Sequence, residues 1–125
     1  MENKAKILIV EDNPVNLELF MDVLEMEGYS CLSAAKGEEA IEIAGKENPD
    51  LVLLDIQLPG MDGMTVERTL RSSDNTKHLK IIALTAHAMK GDKEMFLGEG
   101  FDGYIAKPIK IKEFIEEIKG YIDSL

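Results

Sequence analysis

Cysteine gives this chain almost nothing to build with. Cys31 is its one cysteine, which excludes a disulfide scaffold and a cysteine-ligated metal, and its apolar neighbourhood predicts a buried structural thiol. Long apolar runs are also missing. None approaches the roughly 20 residues of a spanning helix, and the N-terminus has no signal-peptide core, so no membrane partner and a cytoplasmic location are expected. Positive charge is scarce: 14 Lys and Arg stand against 24 Asp and Glu, for a net charge of −10 and a sequence pI near 4.6. That surplus repels nucleic acid and anionic lipid alike. Linkers and low-complexity segments are absent as well. Residues 1–125 therefore read as one domain, large enough to bury a core.

What the chain does have is a regular alternation of short apolar runs and amphipathic segments. Ala5–Val10, Tyr29–Ala34, Leu51–Leu54, Ile81–Leu84 and Gly103–Ala106 read as strands. Between and after them, Pro14–Glu27, Gly37–Glu47, Gly63–Arg71, a segment from Met89 to Glu99, and Ile111–Leu125 carry apolar residues at helical spacing. Inward positions are Leu17, Phe20, Met21 and Leu24; Ala40, Ile41 and Ala44; Val66 and Leu70; and Ile111, Phe114, Ile115, Ile118 and Ile122. Most methionines fall at core spacings too, while Met61 and Met64 are candidates to face a partner. The predicted fold class is α/β, a doubly wound five-stranded parallel sheet with five helices and right-handed crossovers. In the flavodoxin-like strand order 2-1-3-4-5, ligands bind where the order reverses, between the first and third strands.

Those two strands end in acids. Leu51-Val52-Leu53-Leu54 runs into Asp55, and Pro59-Gly60 turns the chain soon after. Ile7-Leu8-Ile9-Val10 runs into Glu11-Asp12. As neighbours, the strands bring three carboxylates to one crevice, fixed in place and open to solvent. Two unit charges about 5 Å apart repel by roughly 3 kcal/mol at an effective dielectric near 20, so the cluster must bind a proton or a cation. An all-oxygen set with few protein donors suits Mg²⁺, which keeps its waters and bridges to phosphoryl oxygens. A plainer reading makes Asp12-Asn13-Pro14 a helix start, with Asn13 as N-cap and Pro14 first in the helix; both can hold at once.

Two further strand ends carry complementary chemistry. Leu84 leads into the hydroxyl of Thr85, and Ala106 into the ammonium of Lys107 before Pro108. A phosphoryl group on Asp55 would offer one oxygen each to Mg²⁺, Thr85 and Lys107. Taken singly, Thr85 fits a capping hydroxyl and Lys107-Pro108 a surface turn.

Taken together, Val10-Glu11-Asp12-Asn13, Asp55-Ile56-Gln57-Leu58-Pro59-Gly60-Met61-Asp62-Gly63, Ala83-Leu84-Thr85-Ala86 and Lys107-Pro108 carry a resemblance. The chain resembles the receiver domain of two-component response regulators over essentially its whole length. The Val-Glu-Asp-Asn opening and Ala86–Asp92 are most similar to DivK-type single-domain receivers and the receivers of hybrid histidine kinases. The resemblance implies that Asp55 is a phosphoacceptor, charged by a phosphohistidine on a sensor histidine kinase or histidine phosphotransfer protein. It implies that Mg²⁺ is held by Asp12, Asp55 and the Gln57 carbonyl, with Glu11 acting through a metal-bound water. Lys107 would contact the phosphoryl group, Lys107–Pro108 would be a cis peptide, and Thr85 and Tyr104 would form a switch pair. The output would be a shape change, rather than a released product, on the face of the fourth helix, fifth strand and fifth helix. That face would recruit a downstream protein.

One departure is Glu11, where many receivers carry Asp. The chain ending at Leu125 fits a stand-alone receiver, monomeric or weakly dimeric. His87 is a candidate modulator, as is Gln57, and His78 reads as solvated. Two other classes fit less well. A haloacid-dehalogenase-like phosphatase would want an acid where Gln57 stands. A flavodoxin-like flavin binder would need a phosphate loop where Glu11-Asp12 would repel it.

Overall fold

A computed structural model of the chain describes residues 5–86 and 92–124. Along it run β1 (Lys6–Val10), α1 (Pro14–Met26), β2 (Ser30–Ala34), α2 (Gly37–Glu47) and β3 (Leu51–Asp55). Then come α3 (Gly63–Arg71), β4 (Lys80–Thr85), α4 (Asp92–Glu99), β5 (Gly103–Ala106) and α5 (Ile111–Asp123). The strands pair in parallel in the order β2-β1-β3-β4-β5, as the alternation predicts.

The continuous apolar runs follow from burial on both faces. Alternate residues of the central strands point to opposite layers. Leu8, Val10, Val52, Leu54, Ile81 and Ala83 pack with Ala40, Ala44, Val66, Leu70 and Phe96 of α2, α3 and α4. Ile7, Ile9, Leu51, Leu53, Ile82 and Leu84 pack with Phe20, Leu24, Phe114 and Ile118 of α1 and α5. The Phe20 and Phe114 rings, 5.4 Å between centroids, join those two helices. Each fully buried aliphatic side chain contributes about 1.5–3 kcal/mol, so truncating Leu53 would cost about 2–5 kcal/mol.

Local chemistry sets the helix ends nearest the crevice. Asn13 Oδ1 accepts from the Val15 and Asn16 N–H groups at 2.9 and 3.2 Å, and Pro14 opens α1. At the start of α3, Asp62 Oδ1 accepts from the Thr65 N–H at 2.9 Å, a bond that holds the Asp62 carboxyl below its ordinary pKa. Gly63 is there because a Cβ would lie 2.6 Å from Asp55 O and 2.7 Å from Ile56 Cα. The helix thus starts flush against the end of β3.

Several expectations need correcting. Asp55 and Thr85 are the last residues of their strands rather than the first beyond them, because their backbones still pair with β4 and β5. Cys31 is half-buried, not enclosed, because β2 is an edge strand; burial still pushes its thiol up to about 11. Ile111 is 47% exposed at the first turn of α5, and Met26 and Met95 also face outward. Met61 and Met64 instead pack, half-buried, against the α2–α3 side of the core. His78 is exposed as expected. His87, the Met89 helix start and Leu125 lie outside the described residues. Among the described residues, no helix is long and apolar enough to cross a membrane.

Candidate functional site

The crevice forms where β1 and β3 end side by side. Glu11 follows β1 directly, and its N–H donates to Ala34 O at 3.0 Å, carrying the ladder one residue further. Its side chain is therefore buried, at 1% exposure, and Asp55 is 4% exposed. Only Asp12 meets the expectation of a carboxylate open to solvent. Carboxylate oxygens of Glu11, Asp12 and Asp55 lie within 4.8 Å of one another.

Among the described residues, one cation reaches into this cluster. Lys107 Nζ donates to Asp55 Oδ2 at 3.0 Å and stands 3.2 Å from Glu11 Oε1. The second contact is electrostatic only, since Glu11 Oε1 has no aligned hydrogen bond. The other oxygens bond to backbone: Asp55 Oδ1 accepts from the Gln57 N–H at 2.9 Å, and Glu11 Oε2 from the Asn13 N–H at 3.3 Å.

The proton affinities record the surplus of negative charge. Burial, and then the charge of Asp55, raise the Glu11 pKa against the opposing pull of Lys107. For Lys107, burial favours the neutral amine, but the hydrogen bond and charge of Asp55 and the charge of Glu11 override it and raise the pKa. Lys107 stays an ammonium, and the acids remain under-compensated. The fit to a divalent cation is good. Three convergent carboxylates and a buried oxygen without a donor form a hard, all-oxygen set.

Thr85 lies beside this cluster on β4, and Tyr104 is on the next strand, β5. Thr85, 2% exposed, ends β4 beside β3, and its carbonyl accepts the Lys107 N–H at 2.7 Å. Tyr104 pairs with Ala83, two residues before Thr85, so Thr85 and Tyr104 stand on one face of the sheet. The Tyr104 ring lies half-buried, 6.1 Å from that of Phe96. The Gln57 side chain is exposed, and its N–H is the group that bonds Asp55. The Lys107–Pro108 bond is cis. Sequence reasoning missed Asp62 and Gly63 as the parts that seat α3 against Asp55; the N-cap spacing of Asp62 to Thr65 was the available signal.

The family model of the response regulator receiver domain matches residues 7–119. This chain belongs to the response regulator receiver family. It is 45% identical over 116 residues to the polar-differentiation response regulator DivK of Brucella anthropi, covering 93% of this chain and 94% of that protein. Among solved structures it resembles the receiver domain of a sensor histidine kinase from Pseudomonas aeruginosa. That match has a TM-score of 0.86 and 37% identity, over 97% of this chain and 99% of that one, and magnesium is coordinated in that protein's active-site cleft. A CheY-like receiver protein from Methanospirillum hungatei matches at TM-score 0.87 and 31% identity, over 98% and 96%. As a receiver, this chain is a phosphorylation switch in two-component signalling, not a turnover enzyme.

Proposed function

We propose that Asp55 accepts a phosphoryl group from a phosphohistidine on a sensor histidine kinase or histidine phosphotransfer protein. The observation that carries this reading is Lys107 Nζ on Asp55 Oδ2, inside three carboxylates at the ends of two central parallel strands. An Asp55 oxygen forms the new P–O bond as the P–N bond to the donor breaks, and the electron pair leaves with the imidazole nitrogen. Asp55 is positioned for this by the Gln57 N–H, the Lys107 ammonium and the close seat of Gly63. The apolar side chains of Val15 and Leu19, exposed on α1 beside this crevice, give a donor helix a surface to rest on.

Asp12, Asp55 and the Gln57 carbonyl would hold Mg²⁺, with Glu11 acting through a bound water. Bound there, the ion would lower the repulsion between Asp55 and the incoming phosphate. Lys107 adds the second positive charge. Thr85 would then move in to bond a phosphoryl oxygen, and the Tyr104 ring would turn inward with it. The face that responds is α4–β5–α5, where a groove of about 730 Å³ is lined by Leu97, Tyr104, Ile105, Phe114 and Tyr121. Residues 1–125 would act as one receiver domain that passes its state to a downstream protein.

Acetyl phosphate with Mg²⁺ should add the mass of one phosphate to the intact protein. Asp55→Asn should add none, because an amide cannot make the attack. Undiminished labelling of the variant would place the acceptor elsewhere. A label that turned over as fast as it formed would favour a phosphatase.

A further inference from the structure

Helix α3 begins at the phosphoacceptor loop and reaches the far end of α4 through three charged residues. Arg68 Nη2 donates to Glu99 Oε1 at 2.8 Å. Arg71 is engaged more fully. Its Nε and Nη2 donate to Gly100 O at 3.2 and 2.9 Å, and Nη2 also to Asp102 Oδ2 at 2.9 Å. Its Nη1 donates to the carbonyls of Lys77 and Leu79 at 2.7 and 2.5 Å.

Glu67 lies beside Arg71, 1% exposed. Its Oε2 stands 3.6 Å from Arg71 Nε, beyond hydrogen-bond length, and its Oε1 has no hydrogen bond. The carboxyl presses on Gly100, where φ is 117° and a Cβ would overlap Oε2. Among the described residues, the charges facing it are Arg68 and Arg71 on its own helix, Glu99 at the end of α4, and Asp102 just before β5. Burial raises the carboxyl's proton affinity, opposed first by Arg71, and Glu99 and Asp102 raise it further. A buried carboxylate without donors must take up a proton from solvent or draw a hydrogen-bond donor from a neighbour. The neighbour in reach is Arg71, whose donors are already engaged.

We propose that Glu67 and Arg71 form a two-position latch at the C-terminal end of α4. With the carboxyl neutral, the guanidinium is left to Gly100, Lys77, Leu79 and Asp102, and the turn into β5 is held. When the carboxyl gives its proton to water, the carboxylate draws the guanidinium off Gly100 and Asp102, and the turn loosens. Asp102 immediately precedes Gly103 and Tyr104, so the latch acts on one edge of the α4–β5–α5 surface. That this surface carries the output rests on the receiver reading above; the latch itself does not.

The test is a pH titration of the full chain by NMR, without metal or phosphate. The Glu67 carboxyl carbon and the amides of Gly100, Asp102 and Gly103 are followed together. The Glu67 midpoint should lie above the ordinary glutamate value of about 4.3, and the three amides should share it. In Glu67→Gln the amides should keep their low-pH positions throughout. Titration of Glu67 at or below the ordinary value would overturn the latch. So would amide shifts that persist in Glu67→Gln, which would then belong to Asp102 or Glu99. Phosphorylation of Asp55 plays no part in this readout, so failure of the latch and failure of the receiver reading remain distinct.

Discussion

Among the described residues, two clusters of charge are built on opposite plans. In the crevice, Glu11, Asp12 and Asp55 converge, and among the described residues Lys107 alone pairs with them, through Glu11 and Asp55. Beside α3, Glu67, Glu99 and Asp102 face Arg68 and Arg71, and Arg71 alone makes five hydrogen bonds. The first cluster is left short of positive charge, and the second is nearly satisfied. A folded chain tolerates mutual repulsion at a site that must attract a cation, whereas the second arrangement ties elements together. The difference separates a site that works from a joint that holds.

The largest effect should come from removing the joint's arginine. Arg71→Ala should lower stability by about 3 kcal/mol in urea titration, since three backbone carbonyls and two carboxyls lose their partner. Lys107→Ala should cost less, because a proton taken up by Glu11 can relieve the carboxylates it leaves behind, and added Mg²⁺ should recover part of the loss. Equal losses would mean that the two clusters serve the same end.

Next comes metal affinity within the crevice. Asp12→Asn removes a proposed direct ligand and should weaken Mg²⁺ binding by about tenfold or more, whereas Glu11→Gln, in the proposed role, would disturb only a bound water and should do less. Titration calorimetry on both variants decides the order; equal or reversed losses would exchange the roles of the two acids.

The smallest effect is a slope. The Glu67 pKa is raised in the fold, so its contribution is present below the unfolded value and lost as pH rises through the folded one. Wild type should therefore lose a little stability relative to Glu67→Gln across that window. A gain in the same window would mean that Arg71 holds the carboxylate after all.

The two clusters also differ in how plainly the sequence announces them. Glu11, Asp12, Asp55, Thr85 and Lys107 stand at the ends of apolar runs, so continuous apolar runs and one topology rule bring them together. Glu67 and Arg71, four apart on an amphipathic helix, look like a solvated surface pair. Their burial depends on Gly100 arriving from α4 without a side chain, a contact between distant segments that local spacing does not encode. Ile111 and Cys31 misled for a related reason: apolar character marks a residue's preference, while an edge strand or helix end decides its exposure.

Whether the crevice works as a switch is read most directly with beryllofluoride and Mg²⁺, a stable mimic of a phosphorylated aspartate, by amide NMR of wild type and Thr85→Ala. In wild type, residues around Asp55 should shift together with Tyr104 and the 101–106 segment. In Thr85→Ala, which loses one charge-assisted hydrogen bond of about 1.5–3 kcal/mol, shifts should stay near Asp55 and leave Tyr104 close to its resting position. A silent Asp55 region in wild type, or the full wild-type pattern at Tyr104 in the variant, would contradict a phosphoacceptor coupled to the α4–β5–α5 face through Thr85.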